Sequence, residues 1–152
     1  MTPSERTIRR ATLDDVDAVA ALLDAYRQFY RREPDLDAAR AFASERLRRD
    51  ESIVFLAESA AAVPLGFAQL FPSFSSVALA RTFVLNDLYV VPTARRRGVG
   101  AALLDTATAF CKTRGAVRVS LTTQTTNTSA QSLYAGSGWT RQTEHYVYTL
   151  TP

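Results

Sequence analysis

Ala94-Arg95-Arg96-Arg97-Gly98-Val99-Gly100-Ala101 decides how this chain reads. Before it, an apolar run from Thr82 to Val91 closes on Pro92; after it, Ala101-Ala102-Leu103-Leu104 opens a stretch with helical spacing. Three arginines and two glycines therefore stand where a strand gives way to a helix. The first N–H groups of a helix have no intrahelical acceptor and carry partial positive charge, so such a junction suits phosphate. Glycines at 98 and 100 lack the β-carbons that would hold an anion away from the backbone, and arginines add charge-assisted hydrogen bonds to phosphate oxygens. On its own the stretch leaves open a second reading, an exposed arginine-rich turn.

Two better-known phosphate loops fail here. A P-loop needs Gly-x-x-x-x-Gly-Lys-Ser/Thr, and no such lysine follows either glycine. The dinucleotide fingerprint Gly-x-Gly-x-x-Gly matches Gly98 and Gly100 but meets Leu103 where its third glycine belongs.

Working outward, periodicity predicts the remaining elements. Thr7 to Arg10 reads as a first strand, and Thr12 with Asp15 forms a capping-box variant that opens a helix from Leu13 to Tyr30. Pro34 precedes a second helix over Asp35 to Arg49. Strands are predicted at Ser52–Glu58, Leu65–Phe71 and Thr82–Val91, with a turn at Val63-Pro64 between the first two. A helix over Val99–Thr113 ends at Arg114-Gly115; a strand at Val117–Thr122, a short helix at Thr128–Ala135 stopped by Gly136 and Gly138, and a strand over Thr140–Leu150 with alternating Tyr146 and Tyr148 complete the order.

Composition bounds the function. With 152 residues, 47% of them hydrophobic, the chain reads as one soluble domain over 1–152 that buries roughly two-thirds of its unfolded surface. Cys111 is the only cysteine and His145 the only histidine, so neither an internal disulfide nor a metal cluster is expected, and a reducing cytosol is. Met1 to Arg6 carries no apolar leader, and no run of 18 apolar residues occurs. The formal charge of +3 is unevenly spread: residues 1–60 hold 10 basic and 12 acidic side chains, and residues 61–152 hold 8 and 3. The C-terminal part is thus suited to an anion. Nucleic acid is disfavoured as that anion, because its basic residues are scattered apart from Arg95 to Arg97.

Two motifs then stand in order. Arg95-Arg96-Arg97-Gly98-Val99-Gly100 fits Gln/Arg-x-x-Gly-x-Gly/Ala, and Asn127-Thr128-Ser129-Ala130-Gln131-Ser132-Leu133-Tyr134 fits Asn-x-x-Ala-x-x-Leu-Tyr, followed by Gly138-Trp139 in place of Gly-Phe. Asp87-Leu88-Tyr89-Val90-Val91-Pro92 leads into the first. In these features the chain resembles the GNAT superfamily of N-acetyltransferases, which use acetyl-CoA, over about Thr7 to Leu150. The resemblance implies an α/β (α+β) fold: a mixed, mainly antiparallel sheet of six to seven strands with about four helices, splayed between its fourth and fifth strands.

It also implies roles. The backbone from Arg95 through Arg96, Arg97, Gly98, Val99, Gly100 and Ala101 would cradle the CoA pyrophosphate, and the main chain of Leu88, Tyr89 and Val90 would hold pantetheine and polarise the thioester carbonyl. Asn127 would bond the cofactor or order its helix. Acetyl transfer needs a neutral amine, a stabilised oxyanion and a proton for the departing thiolate; Tyr134 matches the residue that supplies the last. Relatives often carry Glu-Asp on the fourth strand, the Glu acting as base, whereas this chain has Asn86-Asp87. Asn86 cannot be a base, and Asp87 alternates to the other strand face unless a bulge re-aims it. Glu144 and a water chain are the other candidates.

The acceptor should meet the first two helices, where Tyr26, Phe29 and Tyr30 could flank an amine, with Glu144 near the last strand. Acidic residues in the first sixty positions favour a cation such as a polyamine, an aminoglycoside or a lysine side chain. Gln28-Phe29-Tyr30 and the Leu-Tyr-Val strand are most similar to the histone and polyamine acetylating branch. The resemblance further implies a homodimer. A rival expectation is a non-catalytic acyl-CoA sensor, raised by the absent glutamate. Cys111, on an apolar helix face, is expected to be a core residue, and Gly136-Ser137-Gly138 lacks nucleophile-elbow spacing.

Overall fold

The computed structural model describes residues 5–152; Met1 to Ser4, part of the stretch read for a leader, lie outside the described residues. Two compact units make it up, one reaching Thr122 and one formed by Thr123–Pro152.

The first unit is built on five strands, β1 (Arg6–Arg10), β2 (Ile53–Ser59), β3 (Pro64–Ser75), β4 (Ala80–Val90) and β5 (Arg118–Ser120), in the spatial order β1-β2-β3-β4-β5. The first four pair antiparallel and β4 with β5 parallel. Helices α1 (Val16–Phe29) and α2 (Leu36–Arg48) join β1 to β2, and α3 (Val99–Thr113) joins β4 to β5.

Local chemistry fixes the helix starts. The Asp15 carboxylate accepts the Thr12 N–H at 2.8 Å, closing the expected capping box, although a 3-10 turn at Leu13–Asp15 precedes α1 proper. Asp15 also takes the Arg9 guanidinium at 2.6 Å, which forks to Glu58 at 2.8 Å and so ties β1 to β2 and to the entry of α1. Asp35 caps α2 by accepting the Ala38 N–H at 3.1 Å.

The sheet is covered on both faces, which is why β2 has five buried residues in succession instead of alternating. Val54 and Leu56 pack with Phe67, Tyr89 and the apolar stripe of α1 and α2 (Val19, Leu22, Leu23, Ala39, Ala43). Phe55 and Phe83 meet Phe110 of α3 on the other face. Gly66 is required where β3 crosses close to β4: a β-carbon there would run into the Tyr89 carbonyl oxygen and reach 3.1 Å from Val90 Cα.

Strand β4 is irregular in two ways. Leu70 stands opposite Leu85 but Gln69 stands opposite Asp87, so Asn86 is an extra, bulged residue. The bulge reverses the alternation: Phe83 and Leu85 face α3, whereas Asp87 and Tyr89 face α1 and α2. In addition, β5 pairs only with Thr82 to Val84. From Leu85 to Val90 the outer edge of β4 has no strand partner among the described residues.

Among the described residues five strands, not six to seven, form the sheet. The expected strand over Thr140–Leu150 is absent: no strand occurs there, and Tyr146 and Tyr148 are each 90% exposed. Alternation specifies two faces, but a strand also needs a hydrogen-bonded edge, which alternation does not encode. The strand predicted at Val117–Thr122 shrinks to three residues, its ladder ending just before the β4 bulge. In the second unit, α4 (Thr128–Gly136) is capped by Asn127, whose side chain accepts the Ala130 N–H at 3.1 Å, and Gly138 turns the chain at φ +87.

Candidate active site

The bulge puts Asn86 and Asp87 side by side on one cavity. Asp87 is only 8% exposed; its Oδ2 accepts Gln69 Nε2 at 2.7 Å, and Asn86 Nδ2 reaches both carboxylate oxygens, at 3.2 and 3.1 Å. Burial pushes the Asp87 pKa above the ordinary carboxylate value, opposed by the hydrogen bonds from Gln69 and Asn86. The cavity, about 360 Å³, lies among α1, α2, β3 and β4; Leu23, Ala38, Ala39, Phe42 and Phe71 supply its apolar wall. Arg27 also lines it, donating to Asp24 Oδ1 at 3.3 Å and to the Glu33 carbonyl at 3.2 Å. Buried Asp24 further accepts Gln28 Nε2 at 3.2 Å and the Asp35 N–H at 2.9 Å, so one carboxylate holds the α1–α2 connection.

At the far end of β4 the chain turns through Pro92–Ala94 and the arginine run into α3. Ala94 and Val99 are buried at either end of the run, and Arg95, Arg96, Arg97 and Gly98 are exposed between them. Arg96 (φ +59) and Gly98 (φ +78) both take left-handed backbone, which turns the loop back on itself. The bond from the Ala102 N–H to the Gly98 carbonyl, at 3.0 Å, starts the helical ladder, so the amides of Val99, Gly100 and Ala101 precede it. Amides, a helix start and exposed guanidinia fit a pyrophosphate. Arg95 differs from its two neighbours: its Nε donates to the Val90 carbonyl at 2.8 Å, and its guanidinium lies 5.6 Å from the Phe29 and Tyr89 ring centroids. This side chain braces the loop against β4 and the end of α1.

Similarity to known proteins agrees with this geometry. Residues 17–139 match the model of the acetyltransferase (GNAT) family. The chain belongs to that family. Over 143 residues, 94% of this chain and 95% of the relative, it is 42% identical to the uncharacterized N-acetyltransferase YhfO of Bacillus subtilis (strain 168). A crystal structure of a probable acetyltransferase superposes with a TM-score of 0.91 at 39% identity, covering 96% of this chain and 97% of that one. An aminoglycoside N-acetyltransferase, AAC(6')-Iy, in complex with CoA shares the fold with a TM-score of 0.79 at 22% identity, covering 96% and 94%. The protein is thus an acetyl-CoA-dependent GNAT N-acetyltransferase.

Other residues singled out from the sequence of this GNAT protein fall in several places. Tyr89 sits within the core cluster beneath α1, and Leu88 and Val90 alternate to the opposite face of the strand. Tyr26 packs edge-on against Phe67 and Tyr30, at centroid distances of 6.0 and 5.0 Å, and lies 5.8 Å from Tyr89; Phe29 meets Tyr30 at 5.3 Å. These three aromatics form a cluster beside Arg95 and do not line the Asp87 cavity. In the second unit Tyr134 lies 6.0 Å from the Trp139 ring, and Glu144 and His145 are exposed. Cys111 is buried and its thiol is pushed up to about 11 by burial, as suits a core residue. Sequence reasoning missed Gln69, Leu23, Arg27 and Phe42. Leu23 and Arg27 lie one helical turn before Tyr26 and Tyr30, so spacing could have flagged them; Gln69 could have been noticed only as a polar residue inside an apolar strand. Among the described residues no cluster of His, Cys, Asp and Glu could hold a metal, and no helix is long and apolar enough to cross a membrane.

Proposed function

We propose that the cavity at Asp87 receives a primary amine and that Asp87 is the base for its acetylation. The observation that carries this reading is the bulge at Asn86, which turns a buried carboxylate toward α1 and α2 beside a strand edge that no described strand pairs. Acetyl-CoA supplies the activated acyl group, with its pyrophosphate on the amides of Val99, Gly100 and Ala101 and the guanidinia of Arg96 and Arg97. Asp87 binds the ammonium and takes its proton, which leaves a neutral nitrogen with a lone pair for attack on the thioester carbonyl. The edge of β4 at Leu88 to Val90 offers main-chain N–H groups to the oxyanion. Tyr134 returns a proton to the thiolate as the tetrahedral intermediate collapses, a role supported by its match to the family motif. Asn127 acts by ordering α4 through its cap.

The acceptor classes that a buried carboxylate admits are cationic: a polyamine, an aminoglycoside or a lysine side chain. The aminoglycoside enzyme bound to CoA gives the second of these a relative with the same fold. Thiol release from acetyl-CoA against simple monoamines, polyamines, aminoglycosides, amino acids and basic peptides, with calorimetric CoA binding on the same sample, tests the proposal. Release that depends on an added amine supports it; tight binding without release across the panel would transfer the site to the acyl-CoA sensor reading.

A further inference from the structure

We infer that the acceptor is a compact amine with one positive charge and an apolar body, such as an arylalkylamine, in preference to a polyamine or an aminoglycoside. This rests on the reading of the Asp87 cavity as the acceptor site, and the other side chains facing that cavity are its grounds.

Among the described residues, Asp87 is the one acidic side chain that lines it. The neighbouring carboxylate, Asp24, is already committed to Arg27, Gln28 and the Asp35 amide. Asp35 itself caps α2. A second ammonium would therefore find no free carboxylate on the wall. It would instead meet Arg27, and beyond Phe42 it would meet Arg46, whose guanidinium lies 5.0 Å from the Phe42 ring centroid. Sugar hydroxyls fare no better, because the rest of the wall is mostly apolar and a hydroxyl buried there without a partner loses its hydrogen bonds to water.

The apolar wall has a positive preference as well. Phe42 leaves 42% of its surface exposed, and Phe71 stands beside Gln69 on the same face of β3. An aromatic or branched apolar body would cover these rings while its ammonium reached Asp87. At about 360 Å³ the cavity is near the small end of the roughly 300–1,000 Å³ typical of ligand pockets, which suits such a molecule better than a multi-ring aminoglycoside.

Thiol release by the full chain, measured with phenethylamine, spermidine and kanamycin, tests the inference. The expected kcat/KM for phenethylamine is at least about tenfold above the others, the scale set by burying one aromatic ring. Phe42→Ala should raise the phenethylamine KM about tenfold, with kcat and the acetyl-CoA Kd little changed. Ala38→Glu, at an exposed α2 position, adds a second carboxylate to the wall and should move preference toward spermidine without altering CoA binding. Spermidine or kanamycin turned over as well as phenethylamine would overturn this inference alone. No release with any amine would overturn it together with the assignment of the cavity.

Discussion

The run from Val90 to Ala101 and the cavity at Asp87 both depend on β4, yet they are made of different material. The first is main chain: three amides in the first turn of a helix, two left-handed residues and a side chain, Arg95, that braces the loop. The second is side chains from four elements separated by up to 64 residues, Leu23 to Asp87. A backbone cradle demands particular residues at particular offsets, because glycine alone takes positive φ without steric cost. A side-chain cavity demands volume and charge at positions that only tertiary packing brings together. Mutations should therefore separate the two, affecting donor binding on one side and turnover on the other.

Asp87→Asn should show the sharpest separation. Loss of the base is expected to reduce kcat by about 10²–10⁴ while leaving the acetyl-CoA Kd within about twofold. Stability should move the other way. Because burial raises the folded-state pKa of Asp87 above its unfolded value, the protonated form is favoured in the fold, and stability falls as pH rises from the ordinary carboxylate range through the raised value. Asparagine removes that penalty, so the variant should melt at or above the wild-type temperature near neutral pH, with the gap closing in acid. A fall in Tm at neutral pH together with weaker CoA binding would show instead that Asp87 supports the sheet.

Tyr134→Phe acts on the other proton transfer. A thiolate leaves more readily than an amine, so the expected loss in kcat is about 10- to 100-fold, with CoA affinity retained. Unchanged turnover would remove Tyr134 as the acid and leave water in that role.

Gly98→Ala should break the cradle alone. A β-carbon at φ +78 costs about 1–2 kcal/mol, so the loop relaxes and acetyl-CoA must restore it; the Kd is expected to rise about tenfold, with kcat unchanged at saturation. Arg96→Gly is the control, since Arg96 already occupies left-handed backbone at φ +59. Glycine there relieves strain and removes one charge, so Tm should hold or rise while CoA affinity drops by less and in a salt-dependent way.

The same contrast governs how much of the molecule was legible in its sequence. The strand-to-helix junction at Arg95 to Ala101, the capping box at Thr12 and Asp15, and the helix cap at Asn127 were legible because each is a local geometry with its own residue requirements. The bulge at Asn86 was legible only as a condition on the aim of Asp87, since nothing in Leu85-Asn86-Asp87 announces an extra residue until Gln69 and Leu70 stand opposite. Tyr26, Phe29 and Tyr30 have the right spacing to line a cavity and the wrong turn of helix; Leu23 and Arg27 line it from the turn before. Thr140 to Leu150 failed as a strand because alternation records a preference for two faces without naming an edge to pair with.

Gln69 belongs to both sides of that contrast, a polar residue buried in an apolar strand and acting only through Asp87. Its amide donates to Asp87 Oδ2 at 2.7 Å and so favours the ionised form against desolvation. Gln69→Leu leaves desolvation less opposed, and the Asp87 pKa should rise further. The acid limb of kcat/KM should accordingly move to higher pH, with the loss at neutral pH only several-fold and recovering as pH is raised. Stability should obey the same linkage: the deficit relative to wild type should grow as pH rises from the ordinary carboxylate range through the raised pKa, and be smallest in acid. A role confined to packing predicts the reverse pattern, a Tm deficit independent of pH and an acid limb that stays where it was. The pH profile of this one variant therefore distinguishes a glutamine that positions a base from one that merely fills β3.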